Sequence, residues 1–471
     1  MKKFMSGNMI YLIIIALFTF TSCEKNISGK ITVFETTDLH GVILPYDFIE
    51  MKNINVSLSQ VSECVNRARK ESGEVILLDN GDNLQGQPSV YYFNFIDTAS
   101  VHINAVAMNY MEYDAATVGN HDIEAGHSVY DRLKEEYDFP LLAANAVNIK
   151  TGNPYFKPYV VINRKGIKIA VFGLITPAVP KWLPPQLYSG IEFRDMLETT
   201  KIWMPAILKE KPDIIIGLFH SGWDTNRVTG EGEGNITENG AASVAFNVPG
   251  FDIIFTGHDH NVANEWFTNN AGEKVLILNA GSRSENVARA DIRIRKNKLT
   301  GKTEKEWSGK IINVNDFDPD PVFIDKLSHY RKELENYVSK ILTYSDIQFS
   351  TRDSFFGSSA FVDMIHSIQL AITGARISFS APLSFDAKIN AGPVTVGDLF
   401  KLYRFENMLY TVTMTGEEID RYLEYSYSGW INTMKKPDDY LLKYRLDENK
   451  KPVLVNGKAW LKNQPYNFDS A

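Results

Sequence analysis

Five apolar runs in this chain are each followed by residues that bind cations. Asp38 and His40 follow the run 31–36, Asp82 follows 75–78, and Asn120 with His121 follows 115–118. His220 ends the run 214–219, and Gly257-His258-Asp259-His260 ends the run 251–255. Five of the nine histidines therefore stand just past an apolar run, an unusual place for core histidines.

Carboxylate oxygen, amide oxygen and neutral imidazole together suit Zn, Mn, Fe or Co better than Mg alone. At spacing two in an extended segment Asp38 and His40 point to one side, so one ion can take both; His258 and His260 repeat that spacing. Asp82 sits in the turn Asn80-Gly81-Asp82, where Gly81 permits a sharp exit, and its two oxygens can bridge two cations. Asn120 offers a hard neutral oxygen, which leaves His121 free for other work. Each fragment alone is ordinary, since an Asp-x-His is usually a surface pair and Asn-His-Asp can cap a helix. Five such strand ends in one chain point instead to a shared site. Asp259, between two of these residues, is expected to point away as a surface or turn residue.

The elements that must position these side chains follow from hydrophobic periodicity. Between residues 30 and 295, buried strand-like runs alternate with helical patterns at 58–69, 101–110 and 196–210, which predicts an α/β layered domain. Ligands in such domains gather in the crevice outside the carboxyl ends of the strands. A Gly- and Glu-rich stretch, 229–240, reads as a surface loop near the mouth of the site. The sequence DFDPDP from Asp316 breaks regular structure, and Leu327, Tyr330, Leu334, Tyr337 and Ile341 then mark an amphipathic helix. A second, smaller α/β unit follows, with a helix predicted over 359–370 and strands over 376–379 and 409–414. The expected division is a leader at 1–23, a first domain at 29–315, a linker helix at 316–345 and a second domain at 346–471.

A hydrophobic content of 44% supports large cores, and a net charge of −8 without a basic, aromatic-interleaved stripe argues against binding a nucleic-acid polymer. Small anionic substrates are compatible with that charge, because bound cations dominate a local field. Lys2 and Lys3 precede an apolar stretch at 9–20 that is short for a membrane span and reads as an export signal. Thr21-Ser22-Cys23 directly after it looks like a bacterial lipoprotein box, which predicts a lipid on Cys23 and attachment to the cell envelope. Cys64 is then the one remaining thiol of the two cysteines, so no intrachain disulfide forms, and it belongs to a helix core beside Leu58, Val61 and Val65.

The series DLH at Asp38, GDN at Asp82, GNHD at Asn120, HSG at His220 and GHDH at His258 resembles the calcineurin-like metallophosphoesterases, closest to their secreted nucleotidase branch. That resemblance implies a β-sandwich flanked by helices and two divalent metal ions. One ion would be held by Asp38, His40 and His260, the other by Asn120, His220 and His258, with Asp82 bridging both. His121 would be a catalytic group that faces the substrate phosphate. Two cations about 3.5 to 4 Å apart lower the pKa of a shared water, so that hydroxide attacks phosphorus in line with the leaving alkoxide. His121 supplies charge or a proton there, oriented by a carboxylate, with Asp122 and Glu124 as the two candidates.

The second unit resembles the nucleotidase C-terminal domain, through TRDSFFGSSAFVDMI from Thr351 and GPVTVGDLFKLYRFEN from Gly392. The resemblance assigns base stacking to Phe405 and a base contact to Asn407. Ser380-Ala381-Pro382-Leu383-Ser384-Phe385 stands where 5'-nucleotidases carry a Gly-rich segment with a phosphate-directed Arg. That departure favours the 2',3'-cyclic-nucleotide 2'-phosphodiesterase/3'-nucleotidase subgroup, with Arg352 left as a residue that can reach a phosphate. Relatives continue beyond the segment at 466–469, so the second domain is expected to be incomplete. The competing expectations are a lipoprotein that binds nucleotide with little turnover, and a related hydrolase of UDP-sugars or sulfur esters.

Overall fold

The structure, a computed structural model, describes residues 27–227, 237–297, 303–382, 384–403, 408–455, 458–459 and 461–462. Cys23, Phe405 and Asn407 lie outside them, as does most of the stretch 229–240.

Two six-stranded sheets form a sandwich. The first runs, edge to edge, Thr303–Asn313, Asn286–Lys296, Ile27–Thr36, Val75–Asp79, Ala115–Thr117 and Leu141–Leu142. The second runs Val262–Thr268, Lys274–Ala280, Ile253–Thr256, Ile214–His220, Ile167–Ile175 and Tyr159–Arg164. The central pairings are parallel in both sheets, so their carboxyl ends collect on one side. Continuous apolar runs suit these strands because both faces are buried. Ile31, Val33, Ile76 and Leu78 face Val171, Ile216, Leu218 and Phe255 between the sheets. The helices Leu58–Ser72 and Ile103–Tyr110 cover the outer face of the first sheet. Met196–Lys209 and Ala241–Asn247 cover the second. Ser57 caps the first of these helices by accepting from the Ser59 amide, and Gly73 ends it in the left-handed region. Cys64 is buried in the core beneath it.

The amphipathic pattern after residue 320 forms two consecutive helices, Pro321–Lys326 and Ser328–Val338, with Leu327, Leu334 and Val338 buried. Ile341 does not continue the helix; it opens the strand Ile341–Ser345. Tyr337 packs with Ile49 and Tyr91 of the first region and with Val396 and Phe400 of the second, so this helix is part of the contact between them.

The second region contains the helices Ala360–Thr373, Val396–Leu402 and Gly416–Trp430. The strands predicted at 376–379 and 409–414 are absent: neither run takes part in a strand ladder among the described residues. The first follows directly on Gly374, which caps the preceding helix in the left-handed region, and the second leaves Tyr410 and Val412 exposed. A short apolar run without a neighbouring strand to receive its backbone hydrogen bonds has no ladder to join.

Candidate metal centre

The five strand ends converge. Ligand-type atoms of Asp38, His40 and His260 all lie within 4.8 Å of one another, as do those of Asp82, His220 and His258. Each group draws on both sheets: Asp38, His40 and Asp82 leave the first, while His220, His258 and His260 leave the second. Asn120 joins the latter group, its Oδ1 lying 3.2 Å from His220 Nε2.

The backbone that presents these groups is unusual. Asp38, His40, Asp82, His258 and His260 all have positive φ, between 48° and 73°. The expectation that Asp38 and His40 share a side because their segment is extended is therefore wrong in its reason. Both residues occupy the left-handed region, as single turns beyond the strand. Asp and His tolerate that region better than most residues, yet each such position stores about 1–3 kcal/mol of strain. Hydrogen bonds hold the turns in place. Asp38 N donates to Gly81 O at 2.8 Å, His40 N to Asp82 O at 3.0 Å, and His258 N to Asp38 Oδ2 at 3.0 Å. Glycines make the close approach possible: a Cβ on Gly119 would lie 2.1 Å from Asp82 Oδ1, and one on Gly81 2.4 Å from Gly119 N.

Hydrogen bonds also decide which ring nitrogens are free. His40 Nδ1 meets Gln85 O at 3.1 Å and His220 Nδ1 meets Asn80 O at 2.6 Å. A carbonyl only accepts, so each Nδ1 carries a proton, and Nε2 is the nitrogen each ring has left to offer an ion. His40 Nε2 lies 3.0 Å from His260 Nε2, and the buried Asp38 Oδ1 accepts no well-formed hydrogen bond although His260 Nε2 is 3.3 Å away. Two ring nitrogens beside an unsatisfied carboxylate oxygen make a donor set suited to a divalent cation. His220 Nε2 stands 3.2 Å from Asp82 Oδ2 in the second group.

Electrostatics agree. Burial and the neighbouring His121 push His40 down to about 4. Burial alone would raise Asp82, but the charges of His220 and His121 hold it well below the usual carboxylate range. Burial is the largest single influence on His121 and His220 and lowers both; Asp82 together with Glu124 overcomes it at His121, and Asp82 together with Asp38 and the Asn80 carbonyl at His220, raising them to about 9 and about 10. This much stabilised positive charge at neighbouring rings marks a site that favours cations, and a bound ion would replace the protons.

His121 N donates to Asp82 Oδ1 at 2.8 Å, and its Nδ1 stands 2.6 Å from Glu124 Oε2. Gln85 Nε2 donates to the same Glu124 oxygen at 2.9 Å. Asp122 does not reach the ring. Its carboxylate is buried and accepts from the backbone amides of Asp82, Asn83, Leu84 and Gly119 at 2.7 to 3.2 Å, so it ties the Asp82 turn to the Asn120 turn. Of the two carboxylates weighed as orienter of His121, the one in contact is Glu124.

Two family models match the chain, Calcineurin-like phosphoesterase over residues 31–262 and 5'-nucleotidase, C-terminal domain over residues 338–463. The chain belongs to the calcineurin-like phosphoesterases. A Yersinia enterocolitica protein named 2',3'-cyclic-nucleotide 2'-phosphodiesterase/3'-nucleotidase is 24% identical over 504 residues, spanning 95% of this chain and 73% of that protein. A Vibrio cholerae 5'-nucleotidase is 26% identical over 432 residues, spanning 85% and 76%. A solved Staphylococcus aureus structure, described as a candidate 5'-nucleotidase, superposes with a TM-score of 0.72 at 21% identity, covering 94% of this chain and 82% of that one. The last likeness speaks to the fold.

Two residues of this phosphoesterase escaped the sequence reading. Asn80 binds the sheets together: its Nδ2 donates to Phe219 O at 3.0 Å, its Oδ1 accepts from Thr117 Oγ1 at 3.0 Å, and its carbonyl fixes His220. Its place in the Asn-Gly-Asp turn was the available signal. Glu238 lies 3.0 Å from His258 Nε2, within a stretch whose composition suggested only a loop. Asp259 is turned away from both ligand groups; it accepts from Trp223 N and Asn279 Nδ2. Arg352 lies apart from this centre in the second region, paired with Asp386 at 3.2 Å and over the Phe385 ring at 5.0 Å.

Proposed function

We propose that this phosphoesterase is exported, lipidated at Cys23, and hydrolyses nucleotide phosphoesters, taking 2',3'-cyclic and 3'-nucleotides in preference to 5'-nucleotides. The observation that carries the reading is the pair of ligand groups, each assembled from both sheets, with the His121 amide hydrogen-bonded to Asp82 of the second group. Asp38, His40 and His260 would hold one divalent ion, Asn120, His220 and His258 the other, and Asp82 both. When bound, the two ions supply a deprotonated water and positive charge for the phosphoryl oxygens. Asp82 and Asp38 place negative charge where it attracts those cations and orients the rings opposite. His121, held at Nδ1 by Glu124, presents its remaining nitrogen as the proton or charge donor to the leaving oxygen. Asp122 keeps the Asp82 and Asn120 turns in register by filling its oxygens with their amides.

Nucleotides as the substrate class are supported by the names of the relatives, and the preference among them by the absence, at 380–385, of the Arg that 5'-nucleotidases place there. Phe405, Asn407 and Arg352 are the residues proposed to hold the substrate. The test is release of phosphate or nucleoside from 2',3'-cyclic AMP, 3'-AMP and 5'-AMP by protein stripped of metal and then restored with Zn or Mn. Turnover no higher than that of Asp82→Asn under restored conditions rejects the reading. Mass spectrometry of the mature amino-terminal peptide checks the lipid on Cys23.

A further inference from the structure

We infer that Glu238 is a positioning residue for His258: it fixes which ring nitrogen meets the second ion. The inference rests on the metal-centre reading above. Glu238 Oε1 lies 3.0 Å from His258 Nε2. A carboxylate ionised at neutral pH only accepts, so Nε2 carries the proton and the lone pair of His258 is on Nδ1. His258 therefore differs from His40 and His220, whose Nδ1 protons are taken by carbonyls and whose Nε2 atoms face the centre. An imidazole that donates its second N–H to a carboxylate is a better and better-aimed ligand than one that donates to water.

The contact is held from several directions. The Glu238 carbonyl accepts from Thr176 Oγ1 at 2.9 Å and from Ser221 Oγ at 2.9 Å, residues next to the ends of the strands Ile167–Ile175 and Ile214–His220. Ser221 Oγ also accepts from Gly240 N at 2.9 Å, pinning the chain on the far side of Glu238. The His258 ring is held by Trp182, whose ring centroid is 5.5 Å away at 33°, and by His220 at 5.4 Å and 65°. Glu238 is about half exposed, so an isolated ion pair here would contribute little to stability. Its effect is instead on the tautomer and tilt of a ring that Trp182 and His220 already confine.

Full-length protein stripped of metal is titrated with Mn(II) by calorimetry, for wild type, Glu238→Ala and Glu238→Gln. Wild type is expected to take up two ions. Glu238→Ala should bind one of them about 10–100-fold more weakly with the other unchanged. Glu238→Gln, whose side-chain oxygen still accepts from Nε2–H, should stay within about threefold of wild type. Unchanged affinities for both ions in Glu238→Ala overturn the inference. So does a loss in Glu238→Gln as large as in Glu238→Ala, because the carboxylate would then be acting as a ligand or by charge. Wild type that takes up fewer than two ions removes the metal-centre reading itself, and the Glu238 assignment with it.

Discussion

The two regions of the chain are packed in opposite ways. In the first, Asp38, Asp82 and His220 are fully buried, their turns are locked by backbone hydrogen bonds, and three large apolar clusters stand behind them. In the second, the core divides into small groups around Phe355 and Trp430 and around Phe361 and Ile389. Ile372, Tyr410, Val412 and Tyr425 there are 63–79% exposed. Chemistry that needs ligand atoms fixed to a fraction of an ångström is carried by the rigid sandwich, where interior packing resists displacement. Recognition of a base needs a surface more than a fixed geometry, and the more open region suits it. Substitutions in the first region should therefore act on metal binding and kcat, and those in the second on KM.

The strongest test is Gly119→Ala. The added methyl would meet Asp82 Oδ1 at 2.1 Å, and the backbone amides on either side leave nowhere to move. The expected result is loss of the second ion in a Mn(II) titration and a fall in activity of at least about 10³-fold, with the far-ultraviolet circular dichroism retained; full activity would refute the packing described. Next comes His121→Asn, which should lower kcat by about 10²–10⁴-fold and leave both ions bound. Glu124→Gln should lower it less, by about 10-fold, because Gln still accepts from the ring. If Glu124→Gln is as damaging as His121→Asn, Glu124 does more than orient.

On the other side of the comparison, Phe405→Ala should raise KM for nucleotides by about 5–150-fold, the worth of one base stacked on an aromatic ring. Turnover of a generic aryl phosphate should be unchanged. A drop in aryl phosphate turnover would show that the two regions are not separable in this way.

The smallest expected effect concerns stability. His102 is buried, its Nδ1 accepts from Asn104 N at 3.1 Å to cap the helix Ile103–Tyr110, and burial together with Arg132 lowers it to about 3. Its folded pKa lies below the ordinary value near 6.5, so its stabilisation is complete above 6.5 and is lost progressively as pH falls toward 3. At pH 5 the loss is about 2 kcal/mol, at about 1.4 kcal/mol per pH unit. Thermal melts at pH 7 and pH 5 should show a smaller acid-induced shift for His102→Asn, which keeps a capping side chain, than for wild type. Equal shifts would remove His102 from the acid response.

Most of the first region was legible because its signals are local. An apolar run buried on both faces reads as a strand wherever it falls, and a His, Asp or Asn directly after it falls at that strand's carboxyl end. The backbone at Asp38, His40, Asp82, His258 and His260 was not legible, since φ is set there by bonds to distant residues such as Gly81 and Asp38. Asp122 misled for a related reason. Its nearness to His121 in sequence suggested a partner for the ring, but the four amides it satisfies come from turns 38 to 40 residues away and from Gly119. In the second region, runs 376–379 and 409–414 looked like strands by composition, and composition says nothing about whether a neighbouring strand is present.

Asn80 and the mixed origin of each ligand group make the metal centre a seam between the two halves of the sandwich. An ion bound there joins residues whose strands belong to different sheets, so pulling the sheets apart means releasing it. Stability then depends on the surroundings: free metal at 100 times its dissociation constant adds about 2.7 kcal/mol per ion, and a chelator withdraws it. The protein's persistence would follow the local supply of transition metal as closely as its activity does.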